Sequence, residues 1–286
     1  MDKIHLTPQQ LAFMDTFGYL SFPGLLKDKI ESIQQAFEAI WTEHGGGMDG
    51  KPHGGKMRSV IVPFIDQSEY LSGLLDDPRV NGIFSSLLGE DFNYIGSDGN
   101  FYVGDTNWHS DLNWAGDDIG TPRLKYYKMA FYLDPLTRSS GALRVIPGSH
   151  RFGEAYAEGL EKQIRKSQDV WGITGAEVPA IPLETNPGDV VVFNFATKHS
   201  AWNGGNQRRM FTINATAHYQ PEDIGYLKGI ISGAARFWID SVYGERMLRN
   251  ASPERMIHLQ QSLDNQGHLP EEVRKAKLTM TEPAHG

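Results

Sequence analysis

The sequence contains no cysteine, and this absence narrows the chemistry that is open to the protein. Without thiols the chain has no disulfide framework, no thiolate metal site and no cysteine nucleophile. A metal ion bound by this chain would therefore be held by histidine, aspartate or glutamate. Such a ligand set suits iron, manganese or zinc.

Long apolar runs are also missing from the sequence. No stretch approaches the ~18 apolar residues of a membrane span, and the start, MDKIHLTPQQ, lacks the apolar core of a signal peptide. We therefore expect a cytoplasmic protein with no membrane partner. The formal net charge of -8 argues mildly against a surface that binds nucleic acid, so we expect no nucleic-acid partner either.

Short strands dominate the chain from about residue 90 onward. β-Branched and aromatic runs are separated there by Gly, Pro, Asn or Asp, and the 31 glycines and 15 prolines supply many turns. The runs are FNYIGSDGNFYVG, LKYYKMAFYLD, GALRVIPGS, DVVVFNF and MFTINATAHY. Their spacing predicts a mainly β protein with helical additions, built as a sandwich or a barrel.

Helical and glycine-rich segments surround these strands. Thr7 and Gln10 form a capping box that predicts the first of two N-terminal helices. The segment 44–57, HGGGMDGKPHGGKM, is either a plain surface loop or a mobile lid over a site. A charged helical tail begins at about residue 235 and is a candidate surface for oligomer formation. Because no repeat or linker divides the chain, we expect residues 1–286 to form a single domain.

The segment NWHSDLN carries the strongest chemical signal. His109 and Asp111 are two residues apart, so on a strand both side chains leave the same face. His199, just beyond the apolar run 190–195, is the candidate for a third ligand. Two histidines and one carboxylate form the facial triad of iron(II) oxygenases, which leaves positions open for a 2-oxo acid and dioxygen. A closed structural site would use four protein ligands instead.

Two arginines follow His199 and open the next predicted strand. The distal carboxylate of 2-oxoglutarate would pair well with a guanidinium, which binds it through two parallel hydrogen bonds. Arg208 lies in register with a polar row of side chains, whereas Arg209 lies with an apolar row. An active site inside a barrel favours the polar row, so Arg208 is preferred and Arg209 remains the alternative.

Four stretches of the sequence resemble the phytanoyl-CoA dioxygenase-like family of iron(II)/2-oxoglutarate-dependent oxygenases. They are LTPQQLAFMDTFGYLSFPGLL, NWHSDLN, YLDPLTRSSGALRVIPGSHRFG and NPGDVVVFNFATKHSAWNGGNQRR, and together they span residues 7–217. The resemblance implies a double-stranded β-helix, also called a jelly roll. It also implies that Fe(II) is held by His109, Asp111 and His199 at one mouth of the barrel.

The same resemblance implies a reaction. 2-Oxoglutarate is decarboxylated to succinate and CO2, and dioxygen oxidises an unactivated C–H bond of the substrate. Asp111 stands where halogenating relatives have a small residue, so hydroxylation is favoured. Thr106, Leu143 and Ala201 depart from residues that help to seat 2-oxoglutarate in many relatives. Of these, Thr106 is the candidate for contact with the co-substrate here.

Several alternatives stay open at this point. A metal-binding jelly roll without oxygenase activity would have the same pattern, and an oxygenase acting on an acyl-CoA would belong to the same class. A cupin-like metal enzyme that uses no 2-oxo acid is disfavoured, because such sites contain a paired His-x-His that this sequence lacks. The acidic chain has few clustered basic residues for the phosphates of CoA, so a free small molecule is the expected substrate.

Overall fold

Two antiparallel sheets form the centre of the protein in a computed structural model that describes residues 3–111, 125–151 and 155–284. The described strands are β1 (Tyr19–Phe22), β2 (Ser59–Ile61), β3 (Asn93–Gly96), β4 (Gly99–Tyr102), β5 (Thr106–His109), β6 (Tyr126–Tyr132), β7 (Leu143–Val145), β8 (Ile181–Leu183), β9 (Val190–Asn194), β10 (His199–Ala201) and β11 (Arg208–Thr216). The larger sheet has the order β1-β9-β6-β11-β4-β2, and β3 also pairs with β11. The smaller sheet has the order β5-β10-β7-β8. The prediction of a mainly β protein is confirmed.

Helices precede the sheets, interrupt them once and follow them. They are α1 (Pro8–Phe17), α2 (Ile30–Glu43), α3 (Glu69–Ser72), α4 (Pro78–Leu88), α5 (Ala155–Ile164), α6 (Ser167–Trp171), α7 (Ile224–Ser232), α8 (Glu245–Arg249), α9 (Pro253–Ile257), α10 (Gln260–Asn265) and α11 (Leu269–Thr279). The capping box that opens α1 is confirmed, because the Thr7 hydroxyl accepts from the Gln10 backbone N–H and the Gln10 side chain accepts from that of Thr7. In the described parts of the chain, no helix has both the length and the apolar character needed to cross a bilayer.

Strand β11 separates the two environments of the larger sheet. It pairs with β6 along its whole central part and with β3 and β4 on its other edge. Because side chains alternate along a strand, Phe211, Ile213 and Ala215 all enter the hydrophobic core. Arg208 and Met210 leave the opposite face, toward the interior between the sheets.

The main core lies between the larger sheet and the helices. Phe37 and Trp41 of α2 pack against Phe64 and Phe101, and the same cluster extends to Phe211 on β11. Burial of aromatic side chains on this scale is the main stabilising contribution to such a layer. The helices thus hold one face of the sheet rigid while the other face carries the site.

The C-terminal helices also pack on this core. Met247 and Leu259 are fully buried in it, and Leu269 and Val273 of α11 pack against Leu227 of α7 in a smaller cluster. The apolar residues of the predicted helical tail are therefore used within the chain. An oligomer built through this tail stays a prediction.

Candidate active site

A cavity of about 540 Å³ lies between the two sheets. Side chains from β5, β6, β10 and β11 line it, which places both halves of the predicted site on rigid elements. His109, Asp111 and His199 stand in its wall together with Arg208 and Thr106. The five residues that the sequence singled out are thus brought to one cavity.

The three candidate metal ligands converge. Their ligand atoms all lie within 4.8 Å of one another. The Nε2 atom of each imidazole is 3.9 Å from a carboxylate oxygen of Asp111. Strands β5 and β10 bring the histidines together, because His109 and His199 are partners in the antiparallel ladder.

Asp111 is positioned differently from the prediction that placed it on a strand with His109. Strand β5 ends at His109, and Asp111 lies beyond the end of that strand. The reason is that its backbone N–H donates to the carbonyl of Phe195 (2.9 Å) instead of continuing the ladder with β10. The carboxylate is nevertheless buried and directed at the two imidazoles.

Backbone hydrogen bonds fix the tautomer of each imidazole. Nδ1 of His109 lies 2.8 Å from the carbonyl of Asn107, and Nδ1 of His199 lies 2.9 Å from the carbonyl of Thr197. Since a carbonyl can only accept, Nδ1 carries the proton and donates, which leaves the Nε2 lone pair free for a metal. Burial, assisted by the neighbouring His109, lowers the pKa of His199 to about 3, so this imidazole is neutral at neutral pH.

A lysine from β6 places a positive charge beside Asp111. The Lys128 ammonium is 2.9 Å from Oδ2 of Asp111. Burial disfavours an ionised Asp111, but the Lys128 ammonium helps to outweigh it and to hold the pKa of Asp111 well below its ordinary value. Burial likewise opposes the charge of Lys128, yet Asp111 and Asp98 raise the pKa of Lys128. One carboxylate and two imidazoles form a donor set that fits a divalent metal.

The Arg208 guanidinium lies in the same cavity as the triad. Its side chain is buried, its Nη1 has no hydrogen-bond partner among the described residues, and its Cζ stands 5.2 Å from the Tyr102 ring. Burial lowers the pKa of Arg208. Two glycines make room for it, because a Cβ on Gly141 or Gly204 would lie 2.0 or 2.2 Å from Nη1. A buried guanidinium with a free donor is suited to an anionic ligand.

Arg209 has a different environment on the opposite face of β11. Its guanidinium is 2.6 Å from Asp134 and 2.7 Å from Glu38, and its backbone N–H also donates to Asp134. These ion pairs raise the pKa of Arg209. Arg209 therefore links β11 to the outer helix α2, and Arg208 is the arginine that lines the cavity.

Some lining residues were not identified from the sequence. Arg58, Asp98 and Lys128 of β6 all line the cavity. In the sequence, Lys128 is two residues from Tyr126 and two from Ala130, so the three side chains share one face of β6. Whether this face points into the cavity can be decided only once the neighbouring strands are known. Trp108 is buried and donates to the Gly175 carbonyl, which is a packing role.

Two other tryptophans, Trp114 and Trp202, lie close to the candidate metal ligands in the sequence. Trp202 donates from its indole N–H to the Ser200 hydroxyl (2.8 Å). Trp114 lies outside the described residues.

Comparison with known proteins places the chain in a family. Residues 14–211 match the phytanoyl-CoA dioxygenase (PhyH) family, so the chain belongs to that family. The ectoine dioxygenase of Stutzerimonas stutzeri (strain A1501) is 28% identical over 211 residues, which cover 64% of this chain and 67% of that protein.

Solved structures agree with this assignment. EctD from S. alaskensis with bound Fe is 25% identical and has a TM-score of 0.57, covering 74% of this chain and 77% of that one. The alpha ketoglutarate dependent carbocyclase SnoK from nogalamycin biosynthesis has the same TM-score at 21% identity, covering 74% and 84% of the two chains. The double-stranded β-helix is thereby confirmed.

Family, fold and donor set together define the class of protein. This chain is a non-haem iron(II)/2-oxoglutarate-dependent dioxygenase, which uses Fe(II), 2-oxoglutarate and dioxygen. The prediction of the reaction class from the sequence is therefore confirmed. The sequence prediction and the comparisons agree on the cofactors as well.

Proposed function

We propose that this enzyme hydroxylates a C–H bond of a free small molecule, and that His109, Asp111 and His199 hold its iron. The observation that carries the proposal is the convergence of these three ligand atoms within 4.8 Å in a cavity that also contains a buried guanidinium nitrogen without a partner in the described parts of the chain. The bound iron would supply the activation of dioxygen that is coupled to decarboxylation of 2-oxoglutarate to succinate and CO2.

The residues of this chain do the binding and the orientation. The Nδ1 hydrogen bonds of the two histidines hold their Nε2 atoms toward one point, and Asp111 supplies the single negative charge. Arg208 is the proposed partner of the distal carboxylate of 2-oxoglutarate, with the Thr106 side chain lining the same cavity. This assignment uses the one guanidinium Nη1 of the cavity wall that is buried without a partner among the described residues.

The cationic side chains around the cavity favour a free small molecule over a CoA thioester. Arg58 donates to Asn100, Lys128 pairs with Asp111 and Arg165 pairs with Glu161. Each already has a partner in the protein, so binding the phosphates of CoA would require these contacts to break. The relatives named ectoine dioxygenase also act on a small molecule, in agreement with this proposal.

A substrate panel tests the proposal. Purified protein with Fe(II), 2-oxoglutarate and air is assayed for succinate in the presence of free small metabolites or of acyl-CoA thioesters, with Asp111→Ala as the matched control. We expect substrate-dependent succinate with free metabolites only, and none from the control. Efficient coupling with thioesters alone would contradict the substrate class. Absence of iron-dependent succinate under every condition would instead favour a metal-binding jelly roll without activity.

The remaining proposals concern partners, location in the cell and assembly. We propose that neither nucleic acid nor a membrane is a partner, that the protein is cytoplasmic, and that any oligomer forms through the C-terminal helices. The net charge of -8 and the spread of the basic residues support the first of these.

A further inference from the structure

A second cavity adjoins the three candidate metal ligands His109, Asp111 and His199, which we call the metal corner, on the side away from Arg208. Its volume is about 130 Å³, and it shares Asp98 and Asp111 with the larger cavity. Thr212 of β11 lines the larger cavity, and Asn214, two residues on, lines the smaller one. Six residues of strand separate Asn214 from Arg208, roughly 20 Å. The smaller cavity therefore lies beyond the metal site as seen from the proposed 2-oxoglutarate anchor.

Apolar side chains form most of the wall of this smaller cavity, which we call the apolar chamber. They come from β3, from the end of β9, and from α7 with the turn that follows it. The six that define it are Val62, Ile95, Phe195, Ile230, Ala234 and Phe237. No lysine or arginine is among the described lining residues.

The polar groups of the apolar chamber are few, and most are already engaged. Asp98 accepts hydrogen bonds from the Thr212 hydroxyl and from the Asn100 amide. Asp111 faces the imidazoles and Lys128. Oδ1 of Asn214 and the Tyr126 hydroxyl differ, because both are buried without a hydrogen-bond partner among the described residues. The apolar chamber thus offers a ligand two open polar atoms on an otherwise apolar surface.

We propose, building on the proposed function, that the apolar chamber holds the reacting part of the substrate and that this part is a compact apolar group. A branched alkyl group or one small ring fits the volume, since a cavity of ~150 Å³ lined by Leu, Ile and Phe accepts benzene. A single hydroxyl or N–H on this group donates to Oδ1 of Asn214. Anionic groups are excluded from the apolar chamber because no lysine or arginine is among its described lining residues, so their burial there would leave them without an opposite charge.

The position of the apolar chamber determines which C–H bonds of the substrate are oxidised. The apolar chamber borders Asp111, so a group inside it lies beside the metal corner, and its C–H bonds are the ones presented for oxidation. More polar parts of the substrate would remain in the larger cavity, where Arg58 and Thr106 are found.

Two ring probes test the chemical class. Cyclohexanol has one hydroxyl on an apolar ring, and cis-1,3,5-cyclohexanetriol has the same ring with three hydroxyls. Binding is measured by calorimetry on the full chain, first without metal and then with Fe(II) and 2-oxoglutarate under argon. We expect cyclohexanol to bind in both states and the triol to bind at least about tenfold more weakly, because at least one of its hydroxyls would be buried without a partner. Equal or tighter binding of the triol would overturn the proposal.

Variants locate the binding. A Cβ on Gly233, which lines the apolar chamber, meets no atom within 4 Å, so Gly233→Leu fills the space without a backbone clash. Gly229 on the exposed face of α7 is equally free of neighbours and gives the control Gly229→Leu. We expect Gly233→Leu to weaken cyclohexanol binding at least about tenfold, and Gly229→Leu to leave it unchanged. Asn214→Leu should weaken it about fivefold through the lost hydrogen bond.

The outcomes for the apolar chamber and for the enzyme can be separated. If Gly233→Leu does not alter cyclohexanol binding, the apolar chamber is not the binding site, whatever the turnover of the enzyme. Iron-dependent conversion of 2-oxoglutarate to succinate by the wild type, measured across the panel of free metabolites and without either ring probe, reports the proposed function alone. Failure of that conversion with intact, Gly233-dependent cyclohexanol binding would refute the function and leave the binding site standing.

Discussion

Arg208 and Arg209 are neighbours in sequence and lie in opposite environments. Period-two alternation along β11 turns one toward the cavity and the other toward Asp134 and Glu38. The sequence was sufficient to rank them, because the residues in register with Arg208 are more polar. It could not indicate the ion pairs of Arg209, since Glu38 is on a helix far away in the chain.

The two arginines give the first prediction. Arg208→Ala removes the charged partner of the distal carboxylate of 2-oxoglutarate from a buried position, a loss of about 2–5 kcal/mol in binding. The KM for 2-oxoglutarate should therefore rise steeply while Fe(II) binding is retained. Arg209→Ala should lower stability through its lost ion pairs and leave that KM nearly unchanged. The reverse ranking in steady-state kinetics would show that the co-substrate is anchored elsewhere.

The contact of Lys128 with Asp111 could not be predicted from the sequence. Its ammonium pairs with Asp111 only because β6 places it across from Asn214 and beside the chain end of β9, a tertiary relation that no local pattern encodes. The positive charge stands next to the position that a divalent ion would take. It therefore competes with the metal for the same carboxylate.

This competition gives the second prediction. Lys128→Met removes a like charge from the metal corner and leaves Asp111 unpaired in the metal-free protein, and both effects favour metal uptake. Mn²⁺ affinity, titrated in the absence of 2-oxoglutarate, should rise by roughly tenfold or more. The control is Lys125→Met, an exposed lysine just before β6. Unchanged or weaker Mn²⁺ binding would mean that Lys128 supports Asp111 in the metal-bound state instead.

At the scale of elements, the short strand β10 shows a limit of sequence patterns. His199–Ala201 is too short for any periodicity to be recognised, yet it carries a candidate metal ligand and pairs with both β5 and β7. The longer strands β6, β9 and β11 were all predicted from their apolar and β-branched runs. Asp111 was predicted on a strand because the local pattern continued, and its bond to the Phe195 carbonyl ended that strand.

The glycine-rich segment 44–57 is held to the rest of the molecule at specific points. His53 accepts from the Ser59 hydroxyl, donates to the carbonyl of Asn206 and stacks on Phe101 at 5.1 Å. Asn206 belongs to the turn that leads into Arg208. The segment thus contacts the chain next to the proposed co-substrate anchor, as a lid would.

The third prediction concerns the motion of this segment. If residues 44–57 form a lid, their amides should exchange quickly in the free protein and become protected when Fe(II), 2-oxoglutarate and a substrate are bound. Peptides from the adjacent helix α2 serve as the control, because they should exchange equally in both states. Equal exchange of 44–57 with and without ligands would leave a plain surface loop.

At the scale of the whole molecule, the site depends on two sheets meeting. His109 and His199 come from the smaller sheet, whereas Lys128 and Arg208 come from the larger one. The order of these residues in the sequence, together with the family resemblance, was enough to predict the class of enzyme and to single out three candidate metal ligands that lie together in the structure. The apolar chamber could not be predicted, because Ile95, Phe195 and Phe237 are far apart in sequence and resemble ordinary core residues.

The most direct test of the account is the Fe(II) affinity of the wild type and of Asp111→Ala, titrated under argon. The proposed site has three protein ligands, and Asp111 is the one that carries a negative charge, so its removal should abolish tight binding. The wild type should bind one Fe(II) per chain, and Asp111→Ala should bind none at the same concentration. His109→Ala and His199→Ala should behave alike. Wild-type affinity in Asp111→Ala would contradict the assignment of the metal site.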